Sequence, residues 1–148
     1  MTRITTRTSD QLDELVDVYN IQSEGMKHYL HIETGEILMV RTLEMDREDM
    51  RLYEMAEAGL NETYFLIPQV TLSESSGDIY DFTKTIEDTA FREQLQQVLR
   101  GRRNVFRKYK DMLLSNFEES ERYYAYVQSK SRERVRNWLE SIGVQVVN

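Results

Sequence analysis

Leu12, Leu15, Val16 and Tyr19 recur every three or four residues, the spacing that gathers apolar side chains on one face of a helix. Thr8 followed by Gln11 has the pattern of a weak capping box at its start. The period then shortens. Residues 26–33 and 36–40 are β-rich runs on either side of Thr34-Gly35, where glycine supplies the positive φ that a hairpin turn requires. Between Asp46 and Ala58 the apolar Met50, Tyr53 and Met55 lie among charges and Gly59 follows, so a short amphipathic helix is expected. Thr63 to Ile67 reads as a strand stopped by Pro68, which suits an edge or a strand end.

Helical spacing returns after Ser73 to Gly77, a loop or helix start. Ile79, Phe82, Thr83 and Ile86 mark one face, and Asp88 or Thr89 caps a second helix carrying Phe91, Leu95, Val98 and Leu99. Gly101 takes the C′ position of that helix. Val105, Phe106, Tyr109, Met112 and Leu113 fall within about 120° of arc at about 100° per residue. Tyr123, Tyr124, Tyr126 and Val127 occupy a segment, 118–130, that the pattern leaves open between helix and strand. Val135, Trp138, Leu139 and Ile142 make a last helical face, Gly143 stops it, and Val144, Val146 and Val147 suggest a final strand. The expected architecture is α+β: one domain over residues 1–148, with a small antiparallel sheet that includes an N-terminal β-hairpin, packed by four to six helices. The C-terminal half is expected to close over the sheet through Phe106, Tyr109, Leu113, Trp138 and Leu139.

Composition narrows the class. A chain of 148 residues, 40% hydrophobic with nine tyrosines, five phenylalanines and one tryptophan, has the makings of a packed core and not of a disordered tail. It contains no cysteine, which removes disulfides, thiol nucleophiles and thiolate zinc sites and suits a reducing cytosol. The longest apolar run, Ile37 to Val40, is far short of the roughly 18 residues of a membrane span, and the N-terminus lacks a signal-peptide core, so a cytoplasmic location without membrane contact is expected. The net charge of −7 is uneven: residues 1–99 carry 8 basic and 20 acidic side chains, residues 100–148 carry 11 and 6. Two such halves attract each other, within one fold or between subunits, or the basic half meets an anionic partner.

Several of these segments together resemble a known family. They are Tyr29 to Ile37 as an opening hairpin; Ile67-Pro68 before a helix with Tyr80 and Phe82; and the acidic break Glu87-Asp88. Leu95, then Leu99 to Arg102, then Val105 to Leu113 follow as a central motif, and Arg122 to Tyr126 with Val135 to Val144 as the close. In this order they are similar to the bacterial uncharacterised protein family zero-one-five-eight, over a core of residues 28–146 that leaves residues 1–27 as an N-terminal helix region. Tyr109 stands where that family more often has phenylalanine and Tyr123 where it has tryptophan, both retaining an aromatic core position. The resemblance implies no activity and no site residues.

The chemistry-bearing residues fall short of a catalytic centre. His28 and His31, the only histidines, sit three apart in a strand and so point to opposite faces; they read as surface or hairpin side chains and not as metal ligands. Glu44, Asp46, Glu48 and Asp49, and the pair Asp78 and Asp81, read as helix-start and solvated carboxylates, favoured by the helix dipole at roughly 0.3–1 kcal/mol each. There is no nucleophile elbow, Walker loop or dinucleotide fingerprint. No catalytic residue, metal ligand or cofactor is assigned. Tyr123, Tyr124 and Tyr126 with Trp138 read as core more than as a stacking platform. The feature that stands out is Arg100 to Lys110, with six positive charges and no negative one. If 103–114 is helical, Arg103, Arg107 and Lys110 lie within about 60° of each other, with Arg100 and Arg102 just upstream. The expected function is a non-catalytic protein-interaction or regulatory module, pairing with itself or with an acidic protein surface. The alternatives are nucleic-acid or other polyanion binding through Arg103, Arg107 and Lys110, and an enzyme built on carboxylates that the sequence does not bring together.

Overall fold

The computed structural model describes residues 5–147 except Gln22, with the backbone alone described for residues 5–9 and 147. The elements run β1 (Thr5–Thr8), α1 (Ser9–Tyr19), β2 (Met26–His31), β3 (Ile37–Arg41), α2 (Arg47–Ala58), β4 (Tyr64–Leu66), α3 (Leu72–Lys84), α4 (Thr89–Leu99), α5 (Val105–Leu113), α6 (Phe117–Ser141) and β5 (Val144–Val147). The class is α+β, with six helices and a small antiparallel sheet among the described residues. The chain packs as two compact units, residues 1–70 with 131–148, and residues 71–130.

The first unit holds the strands. β2 and β3 form the expected hairpin, in register from Met26 opposite Arg41 to Leu30 opposite Ile37. Its turn is a five-residue loop in which Gly35 has φ of 78°, as the Thr34-Gly35 pair foretold. The His31 Nδ1 accepts the backbone N–H groups of Glu33 and Thr34, both at 3.2 Å, and so shapes this loop. β4 pairs antiparallel with β2 as an edge strand, giving the order β3-β2-β4. The final strand does not join this sheet. β5 pairs in parallel with β1, a threonine-rich strand that hydrophobic periodicity gives no reason to expect.

As the central strand, β2 is covered on both faces. Tyr29 packs with Leu38, Val40 and Ala56 of α2, and its hydroxyl donates to Glu57 at 2.9 Å. Leu30 packs with Leu12, Leu15, Val16 and Tyr19 of α1, Val135 and Leu139 of α6, and Val144. His28 shares the Leu30 face and is only 5% exposed, so the expectation of a surface histidine is wrong for this residue. It holds for His31, which is partly exposed at the hairpin end. On α2 the inward face is Asp49, Leu52, Tyr53 and Ala56, while Met50 faces solvent.

The second unit is all helical. Ile79, Phe82, Ile86, Leu95, Leu99, Tyr109, Leu113 and Tyr123 form its core. Thr71 caps α3 in a capping box with Glu74, and Asp88 caps α4 by accepting the Phe91 N–H. Segment 118–130 is helix, part of the 25-residue α6. The apolar residues of the C-terminal half are therefore divided between two cores, where one shared core was expected. Phe106, Tyr109 and Leu113 serve the helical core, and Leu139 with the partly buried Trp138 serves the core around α1. The Thr8–Gln11 cap involves a side chain outside the described ones.

Candidate interaction surface

The acidic clusters resolve into structural contacts. Asp46 caps α2 in a capping box with Asp49, and Arg41 reaches both carboxylates, at 2.7 Å and 3.0 Å. Asp49 is buried and not solvated. Burial pushes its carboxyl up, but the backbone amides of Asp46 and Arg41 and the Arg41 guanidinium outweigh that and hold it below the ordinary range. Glu48 pairs with Arg51, whose hydrogen bond lowers it. Asp78 is also buried, in the middle of α3, where a solvated face was expected, whereas Asp81 is exposed and reaches Lys84. Among the described residues no three His, Asp or Glu side chains are grouped to hold a metal ion.

The basic segment is built differently. α4 ends at Leu99, and the Arg100 and Gly101 N–H groups close its last turn on Gln97 and Val98 carbonyls. Gly101 occupies C′ as expected but not in the left-handed conformation; a Cβ there would sit 3.1 Å from the Val98 oxygen. The left-handed residue is Asn104, with φ of 51°, and α5 starts only after it. Arg103 thus precedes the helix and is not aligned with Arg107 and Lys110 on a helical face, a correction to the expected stripe. Three consecutive polar residues gain nothing by burial, and asparagine tolerates the left-handed turn that redirects the chain.

What the segment does achieve is segregation. Tyr109 is fully buried and Leu113 nearly so, while Arg100, Arg102, Arg103, Arg107, Lys108 and Lys110 are all exposed. None of these six is in an ion pair among the described residues. Paired cations lie elsewhere: Arg41, Arg51, Lys84, Arg122 with Glu119, and Arg132 with Asp13. Just past the end of α5, Leu114 (63% exposed) and Phe117 (74%) leave large apolar side chains in water. A groove of about 340 Å³ runs along α4, lined by Glu93, Gln96, Gln97 and Arg100. Its one carboxylate, Glu93, is exposed to water.

The aromatic triplet is split by the helix. Tyr123 is buried against Phe82 and Tyr109, and burial raises its hydroxyl to about 12. Tyr126 is partly buried beside Phe82, and Tyr124 is exposed. Nothing in the periodicity of 118–130 distinguished them, because ring-rich runs suit strand and helix alike.

The sequence profile of the uncharacterised protein family UPF0158 matches residues 9–148. The chain belongs to this family. The match takes in α1, which the motif-based resemblance left outside. A curated UPF0158 protein of Pseudomonas aeruginosa is 27% identical over 134 residues, covering 90% of this chain and 83% of its own. No solved structure matches the chain. UPF0158 membership brings no assigned activity, so the surface has to be read from its own chemistry. Among the described residues no helix is long and apolar enough to cross a membrane.

Proposed function

We propose that this UPF0158 protein is a non-catalytic cytoplasmic interaction module that docks an acidic protein surface on Arg100, Arg102, Arg103, Arg107, Lys108 and Lys110. The observation that carries the reading is six exposed cations without an ion-pair partner among the described residues, in a chain whose net charge is −7. Four of the six are arginines, and Leu114 and Phe117 follow closely in the chain. Arginine and aromatic side chains are enriched in protein interfaces, where lysine is depleted. Retention on a polyglutamate resin tests the reading. The wild-type protein is expected to bind and to elute with salt, and Arg103→Glu/Arg107→Glu/Lys110→Glu to flow through. Equal retention of both proteins would refute it.

A second reading, single-stranded nucleic acid, is favoured by Phe117 and Tyr124, which stand seven residues apart on one exposed face of α6 and could stack bases. It predicts a low-salt gel shift that Arg103→Glu/Arg107→Glu abolishes. No shift by the wild-type protein at low salt would end it.

A further inference from the structure

We infer that the partner seated on the cationic surface is a second copy of this chain, presenting the outer face of α1. The inference rests on the docking role proposed above and names its occupant.

Asp10, Asp13, Glu14 and Asp17 recur at i, i+3, i+4 and i+7 and cover about 100° of the helix, on the side away from Leu12, Leu15 and Val16. All four are exposed, and α1 contains no basic residue. Arg132 engages Asp13, while Asp10, Glu14 and Asp17 make no ion pair among the described residues. The stripe runs about 10 Å along the helix at about 1.5 Å per residue. It is an acidic face, and Arg100 to Lys110 is a segment of six exposed cations without a carboxylate, Asp111 following it.

Both faces are exposed on the same chain, so each copy that needs an acidic partner brings one at its own concentration. The charge is also unequal by unit: the unit bearing α1 holds 9 basic and 16 acidic side chains, a net of −7, and the unit bearing α5 holds 10 of each. Two chains of net −7 repel at long range, but at about 0.1 M salt the Debye length is about 10 Å, which screens that repulsion more than it weakens apposed pairs. A reciprocal arrangement makes the contact twice and closes a dimer; a one-way arrangement extends.

Sedimentation velocity on the full chain decides the matter. At about 0.1 M salt the wild type is expected to sediment as a dimer or larger, and at about 1 M salt, where the Debye length is about 3 Å, as a monomer. Arg103→Glu/Arg107→Glu/Lys110→Glu and Glu14→Lys/Asp17→Lys should each be monomeric. Their equimolar mixture should associate, because one retains the acidic face and the other the basic. The neutral Glu14→Gln/Asp17→Asn, which changes shape least, should weaken association at least tenfold. A wild type that stays monomeric at about 0.1 M, variants that assemble like the wild type, or a mixture that does not associate would each overturn the inference. If the monomeric wild type is still held by polyglutamate through Arg103, Arg107 and Lys110, only the choice of a second copy fails; if it is not held, the docking role fails with it.

Discussion

Thr83 and Tyr109 show how one added oxygen is accommodated in a sealed core. The Thr83 hydroxyl donates to the Ile79 carbonyl at 2.6 Å and lies 2.7 Å from the Tyr109 hydroxyl, so its single proton is spent and the tyrosine must be the donor. Burial raises the Tyr109 hydroxyl above its ordinary pKa, which keeps it protonated and donating. Tyr109→Phe should therefore cost only about 0.5–1.5 kcal/mol, since Thr83 keeps its own bond. Thr83→Val leaves the phenol unsatisfied and should cost about 1–3 kcal/mol, much of it recovered in the double variant; urea denaturation of the four proteins measures the coupling. His28 is the other buried polar group of note, its Nδ1 without a hydrogen-bond partner among the described residues. Desolvation lowers its pKa below 6.5 in the fold. The unfolded chain then takes up a proton before the folded one does, so the stabilising contribution is complete above about pH 6.5 and declines as pH falls below it. Urea midpoints between about pH 5 and pH 7.5 should drop on the acid side for wild type and flatten for His28→Leu. No change in the slope with pH would place the histidine in water.

Capping and turn chemistry act at the scale of elements. Asp46→Ala removes the α2 cap together with one of the two carboxylates held by Arg41 and should lower stability by about 1 kcal/mol in thermal or urea melts. Gly35→Ala puts a Cβ on a residue with φ of 78° and should cost about 1–2 kcal/mol, loosening the hairpin loop that His31 braces. On α6, Leu139 is fully buried and Trp138 only partly. Leu139→Ala should cost about 2–5 kcal/mol, and Trp138→Ala less than the roughly 3–5 kcal/mol of a buried tryptophan. A tryptophan truncation that destabilises more than the leucine one would show the indole packs more tightly than its exposure indicates.

For the whole molecule, the described apolar side chains of α5 turn into the core while its cations stay in water. Because Arg103 and Arg107 are exposed and make no ion pair among the described residues, Arg103→Glu/Arg107→Glu should leave the unfolding free energy from urea melts nearly unchanged, within about 0.5 kcal/mol, while abolishing polyanion retention. A large stability loss would mean that the two side chains support the fold. The hairpin and the faces of α1, α3, α4 and α5 were legible beforehand, since each depends on residues within a dozen positions of one another; for the α4 cap the sequence offered Asp88 or Thr89, and for β4 an edge or a strand end, and the structure has Asp88 and the edge. The inward turn of Tyr109 and Leu113, with the cations outside, follows from the same local period. His28 was misread as a surface side chain because it shares the face of Leu30, which α1 and α6 cover from far away in the chain; Asp49 stands at a helix start as expected, but its burial with Arg41 is not registered by hydrophobic spacing. The alignment of Arg103 failed for another reason, a left-handed residue at Asn104 that hydrophobic spacing does not register. The sequence by itself determined most of the elements, though not β1 or the helical state of 118–130, and the sign and place of the charge, because periodicity, turn residues and ionisation are properties of short stretches. Only the tertiary structure decided that the apolar residues sort into separate cores, that β5 pairs with β1, and which charges are neutralised, because those outcomes depend on which distant side chains come within contact distance.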